Sequence, residues 1–546
     1  MADSLFMFKR ALNFLLPVMI LLAGLKPAGS ARAADAPPPA PDRFTSLTVD
    51  IVLHEWWLSA WKDNSVACSF WVEHDGLPFD DDVASFCGQD LYQQWKAQSE
   101  ACHEQDTSLC KGYYWIAVRD KPSQKEIPLA LPNAKVWVSL ENCAPDSAGW
   151  CTTQPRLILT AEEPLPDYAI SRIAGLAGAD PFQCEGARCE FQLSQTRAEG
   201  VALQFWAYST YGDTSPIFTA NLRVISTEND ENSVLPRWYV DVLSSQWTGK
   251  PNASCSQAWQ SFPPPEGLPL WLTTPDSPDK LASNLPYAYL AGNLIAQGAV
   301  DVEACVDGGL LPDGSVSDCG MQAARPVVAE WQNRFDTLIF AVAQETEVPA
   351  QLLKNLFSRE SQFWPGVFRA GTDVGLGQLT EDGADTTLLW NPSFYKQFCP
   401  LILGDTTCAS AGYANLKASQ QALLRGALIH SVDATCQNCP LGIDLTRADF
   451  SVSVFARTLL ANCEQTGRIL QNVTGKPAGQ TASYADLWRF TLVNYNAGPG
   501  CLGDALQTAA PAAQNALTWE SVSAAFSPAC KSTIPYVEAI APPAGP

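Results

Sequence analysis

Residues 358–380 read SRESQFWPGVFRAGTDVGLGQLT. The stretch holds a single glutamate, Glu360, and a Gly-Leu-Gly-Gln run ending at Gln378, set among aromatic, apolar and small residues. Just upstream, Val348-Pro349 opens a helix with the sequence AQLLKNLFSRESQF. Steps of i, i+3 and i+4 put Leu352, Leu353, Leu356, Phe357, Glu360 and, if the helix runs on, Phe363 on one face. A carboxylate continuing an apolar stripe is unusual. Burial without a cation disfavours ionisation and raises its pKa, which is the property a general acid needs near working pH. Two ordinary alternatives compete: an ion pair with Arg359 or Lys354, or a solvated group at the helix end. Periodicity alone does not choose among the three.

Outward from this stretch the texture stays helical from 326 to 541. VVAEWQNRFDTLIFAVAQE, LKASQQALLRGALIH, DFSVSVFARTLLANC and YADLWRFTLVNYNAG carry apolar residues at helical spacing, and none alternates like a strand. Residues 45–225 read differently. SLTVDIVL, YYWIAVRD, AKVWVSLENC, PRLILTAE, VALQFWAYST and FTANLRVI are β-branched or aromatic runs broken by turn residues. Their spacing predicts one or two immunoglobulin-like β-sandwich modules with a helical insertion near Asp90 to Cys102, although a small barrel has the same signature. The tryptophans here fit either a core or sugar-stacking platforms. Residues 226–325 look like a mixed helical and loop region. Its Cys305 to Cys319 segment lacks the acid spacing and terminal Glu of an EF-hand and reads as a bridged surface loop. The expected class is therefore multidomain α+β: β-sandwich modules followed by an all-α domain.

At the N-terminus, Lys9 and Arg10 precede an apolar run from Ala11 to Leu25 and small residues ending in Ala31-Arg32-Ala33. This is the pattern of a secretory signal over 1–33, and the run is short of the roughly 20 residues of a spanning helix. A Pro-rich linker, ADAPPPAPDRF, follows over 34–44. No later segment is apolar enough to span a bilayer, so the expectation is an exported protein of the cell envelope or exterior with no membrane span. Eighteen cysteines agree, many in close pairs such as Cys102/Cys110, Cys143/Cys151, Cys184/Cys189, Cys399/Cys408 and Cys436/Cys439. In an oxidising compartment these favour disulfides. The four histidines are scattered and Cys436/Cys439 has no second CxxC, so neither metal nor cofactor is expected. The formal charge is −23; without the first 33 residues, 30 basic and 56 acidic side chains leave −26. Such a chain is not drawn to phosphate backbones, and nucleic acid is excluded as a primary partner.

Three motifs in order give the helical region a family resemblance. Glu360-Ser361-Gln362-Phe363-x-Pro365, then Gly375-Leu376-Gly377-Gln378, then Asn494-Tyr495-Asn496-Ala497-Gly498 resembles the soluble lytic transglycosylase family. That family reads Glu-Ser-x-Phe-x-Pro, Gly-Leu-Met-Gln with its Gln eighteen residues after the Glu, and Ala-Tyr-Asn-Ala-Gly. The same offset separates Glu360 from Gln378, and Tyr536-Val537 is similar to the Tyr-Val of the family's last helix. The resemblance spans about 327–541 and nothing upstream takes part. It implies a lysozyme-like domain that cleaves the β-1,4 bond between N-acetylmuramic acid and N-acetylglucosamine in peptidoglycan glycan strands. By the same resemblance Glu360 is the catalytic acid. It protonates the glycosidic oxygen, then takes the proton of the muramyl 6-hydroxyl as a 1,6-anhydro ring closes. By that resemblance too, Gln378 hydrogen-bonds the substrate or orders the site, and Tyr495 orients Glu360 or the N-acetyl group. Ser361, Asn494, Asn496 and Tyr536 complete the implied substrate-binding set, the two asparagines also holding the turn and Ser361 acting as a local hydrogen-bonder rather than a nucleophile. A single carboxylate suffices because the substrate's own groups replace the second one that ordinary glycosidases need.

The chain departs from the family at several places. Gly377 stands for the Met of Gly-Leu-Met-Gln, removing an apolar side chain from the cleft wall. Arg369 stands where the family commonly has Ser, nine after the Glu. It is a candidate partner for a muramyl lactyl or peptide carboxylate, or it simply faces water. Thr372-Asp373 replaces Gly-Ala, and Asp373 as a second carboxylate gives the alternative of a hydrolase like goose-type lysozyme. Asn494 replaces Ala. A non-catalytic wall-binding protein on the same fold is the third reading, against which the retention of Glu360, Gln378 and Tyr495 speaks.

Overall fold

The computed structural model of the chain describes residues 43–98, 102–146, 149–228, 235–249, 254–366, 373–512 and 516–543. The expected signal, the linker up to residue 42, and Arg369 lie outside the described residues. The described chain has a β-rich N-terminal region followed by a helical one.

β1 (Phe44–Ala60), β2 (Val66–Val72) and β3 (Tyr113–Ala130) form an antiparallel sheet in the order β2-β1-β3. Two helices, α1 (Asp80–Cys87) and α2 (Gln89–Ala97), accompany it; Val83 of α1 packs with Leu58, Phe70 and Val72 in a small core, and Cys68–Cys87 ties β2 to α1. The helical insertion expected near Asp90 is thus α2. Among the described residues the small core of this sheet is closed by α1 and α2 rather than by a second sheet, so residues 44–130 do not form the expected sandwich module. Arg43, read as linker, is instead buried, bonded to Glu163 (2.8 Å) and Asp213 (2.5 Å).

The remaining strands are β4 (Lys135–Glu141), β5 (Trp150–Cys151), β6 (Arg156–Glu162), β7 (Ile170–Ala177), β8 (Asp180–Glu185), β9 (Arg188–Gln192), β10 (Val201–Ser209), β11 (Phe218–Ser226) and β12 (Trp238–Leu243). They make a three-stranded sheet, β4-β6-β9, and a six-stranded sheet, β5-β12-β11-β10-β7-β8. Alternate residues of each contribute to one core: Val136 and Val138 of β4, Leu157 and Leu159 of β6, Leu203 and Phe205 of β10, Leu222 and Val224 of β11. β12 lies beyond residue 225, in the stretch read as mixed. Its WYVDVL pairs with β11 from Asn221↔Leu243 to Ser226↔Trp238.

Helices α3 (Ser254–Trp259), α4 (Ala288–Ala296), α5 (Asp318–Asn333), α6 (Asp336–Thr346), α7 (Ala350–Ser361), α8 (Glu381–Trp390), α9 (Pro392–Leu403), α10 (Asp405–Ser410), α11 (Ala418–Val432), α12 (Leu445–Thr474), α13 (Tyr484–Ala509), α14 (Trp519–Ala524) and α15 (Thr533–Ile540) complete the chain. One hydrophobic core runs through them from Cys255 to Ala541. The expected mixed unit at 226–325 therefore has no core of its own: its first part completes a sheet and its remainder belongs to the helical core. Trp259 is fully buried, donates to the Cys463 carbonyl (2.8 Å), and stands beside the Cys255–Cys463 disulfide that joins α3 to α12. The helical texture also starts earlier than Pro326. Ser317 caps α5 by accepting from the Gly320 N–H, and Pro326 sits inside the helix.

All eighteen cysteines are paired, and the five close pairs singled out in the sequence are bridged as neighbours. Nine disulfides fit an extracellular protein. Among the described residues no helix is long and apolar enough to cross a membrane.

Candidate active site

α7 buries Leu352, Leu353, Leu356 and Phe357 completely, as the stripe predicts. Its cations are committed elsewhere. Lys354 is buried, ion-paired with Asp336, and bonded to Asn333 Oδ1 (2.9 Å) and the Gln332 carbonyl (3.1 Å). Arg359 lies over the Tyr536 ring, 5.8 Å from its centroid. Glu360 is half-buried in the last turn, and its Oε1 accepts a hydrogen bond from the Tyr536 hydroxyl of α15. Burial pushes the Glu360 carboxyl up to about 7; the Tyr536 hydrogen bond and Arg359 oppose the rise, and Asp373 adds to it.

Immediately after α7 the chain reverses through two consecutive non-glycine residues with left-handed backbone, Gln362 (φ 50°) and Phe363 (φ 64°). Such residues cost about 1–3 kcal/mol each and persist only where the surroundings over-determine them. Here Gln362 Oε1 accepts from the Tyr289 N–H (2.8 Å), Trp331 Nε1 donates to the Phe363 carbonyl (2.9 Å), and the Phe363 ring is fully buried. Phe363 thus joins the core from beyond the helix end.

The Gly-Leu-Gly-Gln run forms a tight turn closed by the Val374↔Leu379 pair. Leu376 points into the core, and Ser361, fully buried, donates to its carbonyl (2.7 Å) and so pins the turn to the end of α7. Gln378 has left-handed backbone (φ 56°) and its Nε2 donates to the Gly375 carbonyl (2.7 Å). A side chain at Gly377 has no room: its Cβ would sit 2.4 Å from Phe455 Cδ1 of α12. Phe455 is itself buried and packs edge-on against Phe357. The apolar bulk missing from the turn is supplied by α12.

Opposite stands the Asn-Tyr-Asn-Ala-Gly segment of α13. Gly498 (φ 79°, ψ 170°) breaks the helix there, with Pro499 opening the continuation. The Tyr495 hydroxyl donates to the Gly377 carbonyl (2.5 Å), and its phenol pKa is held well above normal by burial and by the nearby Glu360 and Asp373. Asn494 is buried; its Nδ2 donates to Gln465 Oε1 (2.9 Å) and the Asn462 carbonyl (3.3 Å). Asn496 is exposed and accepts from Thr533 Oγ1 of α15 (2.9 Å). Gln378, Asn494, Tyr495 and Asn496 line a cleft of about 550 Å³ that continues over Asp382 and Asp385 of α8 and Thr458 and Asn462 of α12. Glu360 is not in its lining. Its charge nevertheless reaches Tyr495, which does line the cleft, and helps raise that phenol's pKa.

No family model, curated protein or solved structure matches the chain. The family resemblance therefore rests on the motif residues alone.

The structure brings Glu360, Gln378, Tyr495 and Tyr536 into one neighbourhood, with Asn494 and Asn496 on the adjoining wall. Ser361 is fully buried and bonds to the Leu376 carbonyl, which is the local hydrogen-bonding role expected of it, and its hydroxyl is not on the cleft wall. Tyr536, not Tyr495, holds the acid, while Tyr495 braces the turn. Phe455, Gln465 and Thr533 were not expected. Phe455 is one more apolar residue of a helical pattern, and Gln465 and Thr533 carry no local signal of a site.

Proposed function

We propose that the chain is an exported peptidoglycan lytic transglycosylase whose helical region, 326–541, is a lysozyme-like catalytic domain. The observation that carries this reading is Glu360 itself: a half-buried carboxyl, without an ion pair among the described residues, lifted to about 7 and oriented by a phenolic donor. A carboxyl so poised is protonated in a substantial fraction at neutral pH, as proton donation to a leaving oxygen requires. In the proposed reaction its proton passes to the glycosidic oxygen as the bond to the muramyl C1 breaks. The muramyl 6-hydroxyl then bonds to C1 and returns its proton to the Glu360 carboxylate, so water is not consumed. Tyr536 keeps one carboxyl oxygen fixed through both transfers. The turn over 374–379, held by Ser361 and Tyr495, offers its backbone and Gln378 to the sugar.

Asp373 supports a second reading. Its charge contributes to the raised pKa of Glu360, so it acts on the acid electrostatically. A second carboxylate that activates water would make the chain a goose-type hydrolase. A mass analysis of products from purified peptidoglycan separates the readings. Anhydro-muropeptides are expected; muropeptides with reducing ends support the hydrolase. Intact glycan strands in the presence of bound protein leave only a wall-binding role.

A further inference from the structure

α15 has eight residues, too few for a helix to persist without its neighbours, yet it carries the hydroxyl that orients Glu360. Whatever fixes α15 in place therefore fixes the acid. Its C-terminal end is held by hydrogen bonds from two helices. Arg489 of α13 donates to the Ala541 (3.2 Å) and Pro542 (3.0 Å) carbonyls, and Asn355 of α7 donates to the Ile540 carbonyl (2.9 Å). Its N-terminal end is held covalently. Cys530, three residues ahead of Thr533, is bridged to Cys501 of α13. The Cys530 carbonyl accepts from the Thr533 N–H (3.1 Å), so the bridge leads directly into the first residue of the helix. Thr533 Oγ1 in turn donates to Asn496 Oδ1 (2.9 Å), a second return to α13. The two attachments straddle the Gly498 break, Asn496 before it and Cys501 after it. Thr533 and Tyr536 are both buried and, three residues apart, share a face of α15. Tyr495, next to Asn496, is the residue that braces the turn over 374–379.

We propose that Cys501 and Cys530 are positioning residues for the acid: their bridge, with the Thr533–Asn496 hydrogen bond, holds the N-terminal end of α15 where the Tyr536 hydroxyl meets Glu360. This rests on the reading of Glu360 as the catalytic acid. The two cysteines are 29 positions apart, and α14 lies between them. With the bridge open, that whole stretch approaches α15 without a covalent tie to α13. A hydrogen bond is lost when its atoms part by about 1 Å. A small displacement that leaves Val537 and Ile540 buried is therefore enough to release the carboxyl, and the element that braces the turn is the same one that anchors α15.

The test is Cys501→Ser/Cys530→Ser in the full chain, with Cys305→Ser/Cys319→Ser at the start of α5 as the comparison. Lysis by the first variant is expected to fall about tenfold, as for the loss of one hydrogen bond to a charged group. The alkaline limb of its pH profile should move upward, as in Tyr536→Phe. In the Tyr536→Phe chain, opening the bridge should change the rate by no more than about twofold, because the contact it protects is already gone. Opening Cys305–Cys319 should lower the melting temperature and leave the pH profile in place. Infrared difference spectra against Glu360→Gln follow the carboxyl titration without turnover, and should place it at higher pH in the bridge variant. A folded bridge variant with the parent's pH profile and titration, or rate losses that add in the Tyr536→Phe chain, overturns the positioning role. If the double variant does not fold, Thr533→Val reads the same attachment: an upward shift of the titration is expected, and an unshifted one overturns the proposal. If the parent itself releases nothing from peptidoglycan while the titration shifts, the lytic reading fails and the attachment stands.

Discussion

The Tyr536 hydroxyl donates to Glu360 Oε1 across 176 positions of sequence, joining the end of α7 to the last helix of the chain. The bond gives the acid one defined orientation, and it favours the ionised form against the burial that opposes it. Replacing Tyr536 by Phe removes the donor while keeping the ring beneath Arg359. Lysis is expected to fall about tenfold, and the alkaline limb of its pH profile to move upward, because the acid then holds its proton more tightly. A lower rate with an unmoved profile would leave Tyr536 a packing residue only.

Glu360→Gln is expected to lower lysis by about 10²–10⁴-fold. Its effect on stability depends on pH. The folded carboxyl titrates near 7 against 4.5 for an unperturbed one, so the folded chain holds the extra proton between those limits. Its stability therefore falls as pH rises through that window and stays lowered above it. Glutamine escapes this loss. The variant should melt with the parent near pH 4.5 and above it near pH 8, by about 1–3 kcal/mol. A variant less stable than the parent at both pH values would make Glu360 a structural residue.

Gly377→Met restores the side chain of the resembled family and collides with Phe455. Overpacking of this kind costs about 1–3 kcal/mol. Phe455→Ala alone leaves a cavity and costs about 3–5 kcal/mol. The double variant should be more stable than the sum of the two losses by about 1 kcal/mol or more, read from denaturant midpoints. Additive losses would mean that Phe455 does not occupy the space of that side chain.

Cys255 and Cys463 close the widest disulfide loop of the nine, 208 residues apart. Changing both to Ser should destabilise the helical core by about 2–5 kcal/mol, seen as a lower melting temperature. Removing the short Cys436–Cys439 bridge, which spans three residues, should matter less. An equal drop for both would argue against loop closure as the source.

Glu360 was legible because a carboxylate interrupting a stripe of Leu and Phe is a local anomaly, and Gln378, Tyr495 and Tyr536 were legible through motif spacing. The strands at 46–53, 113–120 and 201–210 showed through alternation. What escaped depends on distant partners. The role of Phe455 exists only because Gly377 faces it, and β12 is a strand because β11 offers it an edge. Residues 254–325 belong to the helical core through Trp259 and Cys255, whose partner at 463 no window of sequence could contain. Ser361 reads as a local hydrogen-bonder from its motif, but a helical wheel does not reveal that its partner is the Leu376 carbonyl fifteen residues on.

The bridge between Cys255 and Cys463 also constrains assembly. Cys255 and Trp259 stay without their partners until α12 has been delivered, so the helical core cannot consolidate vectorially from its N-terminal end. The β-rich region, whose four disulfides each close within 19 residues, has no such wait. Its folded strands then precede a helical segment that stays open over some two hundred residues, the interval in which an exported chain is most exposed to proteases and to mispairing of its thiols.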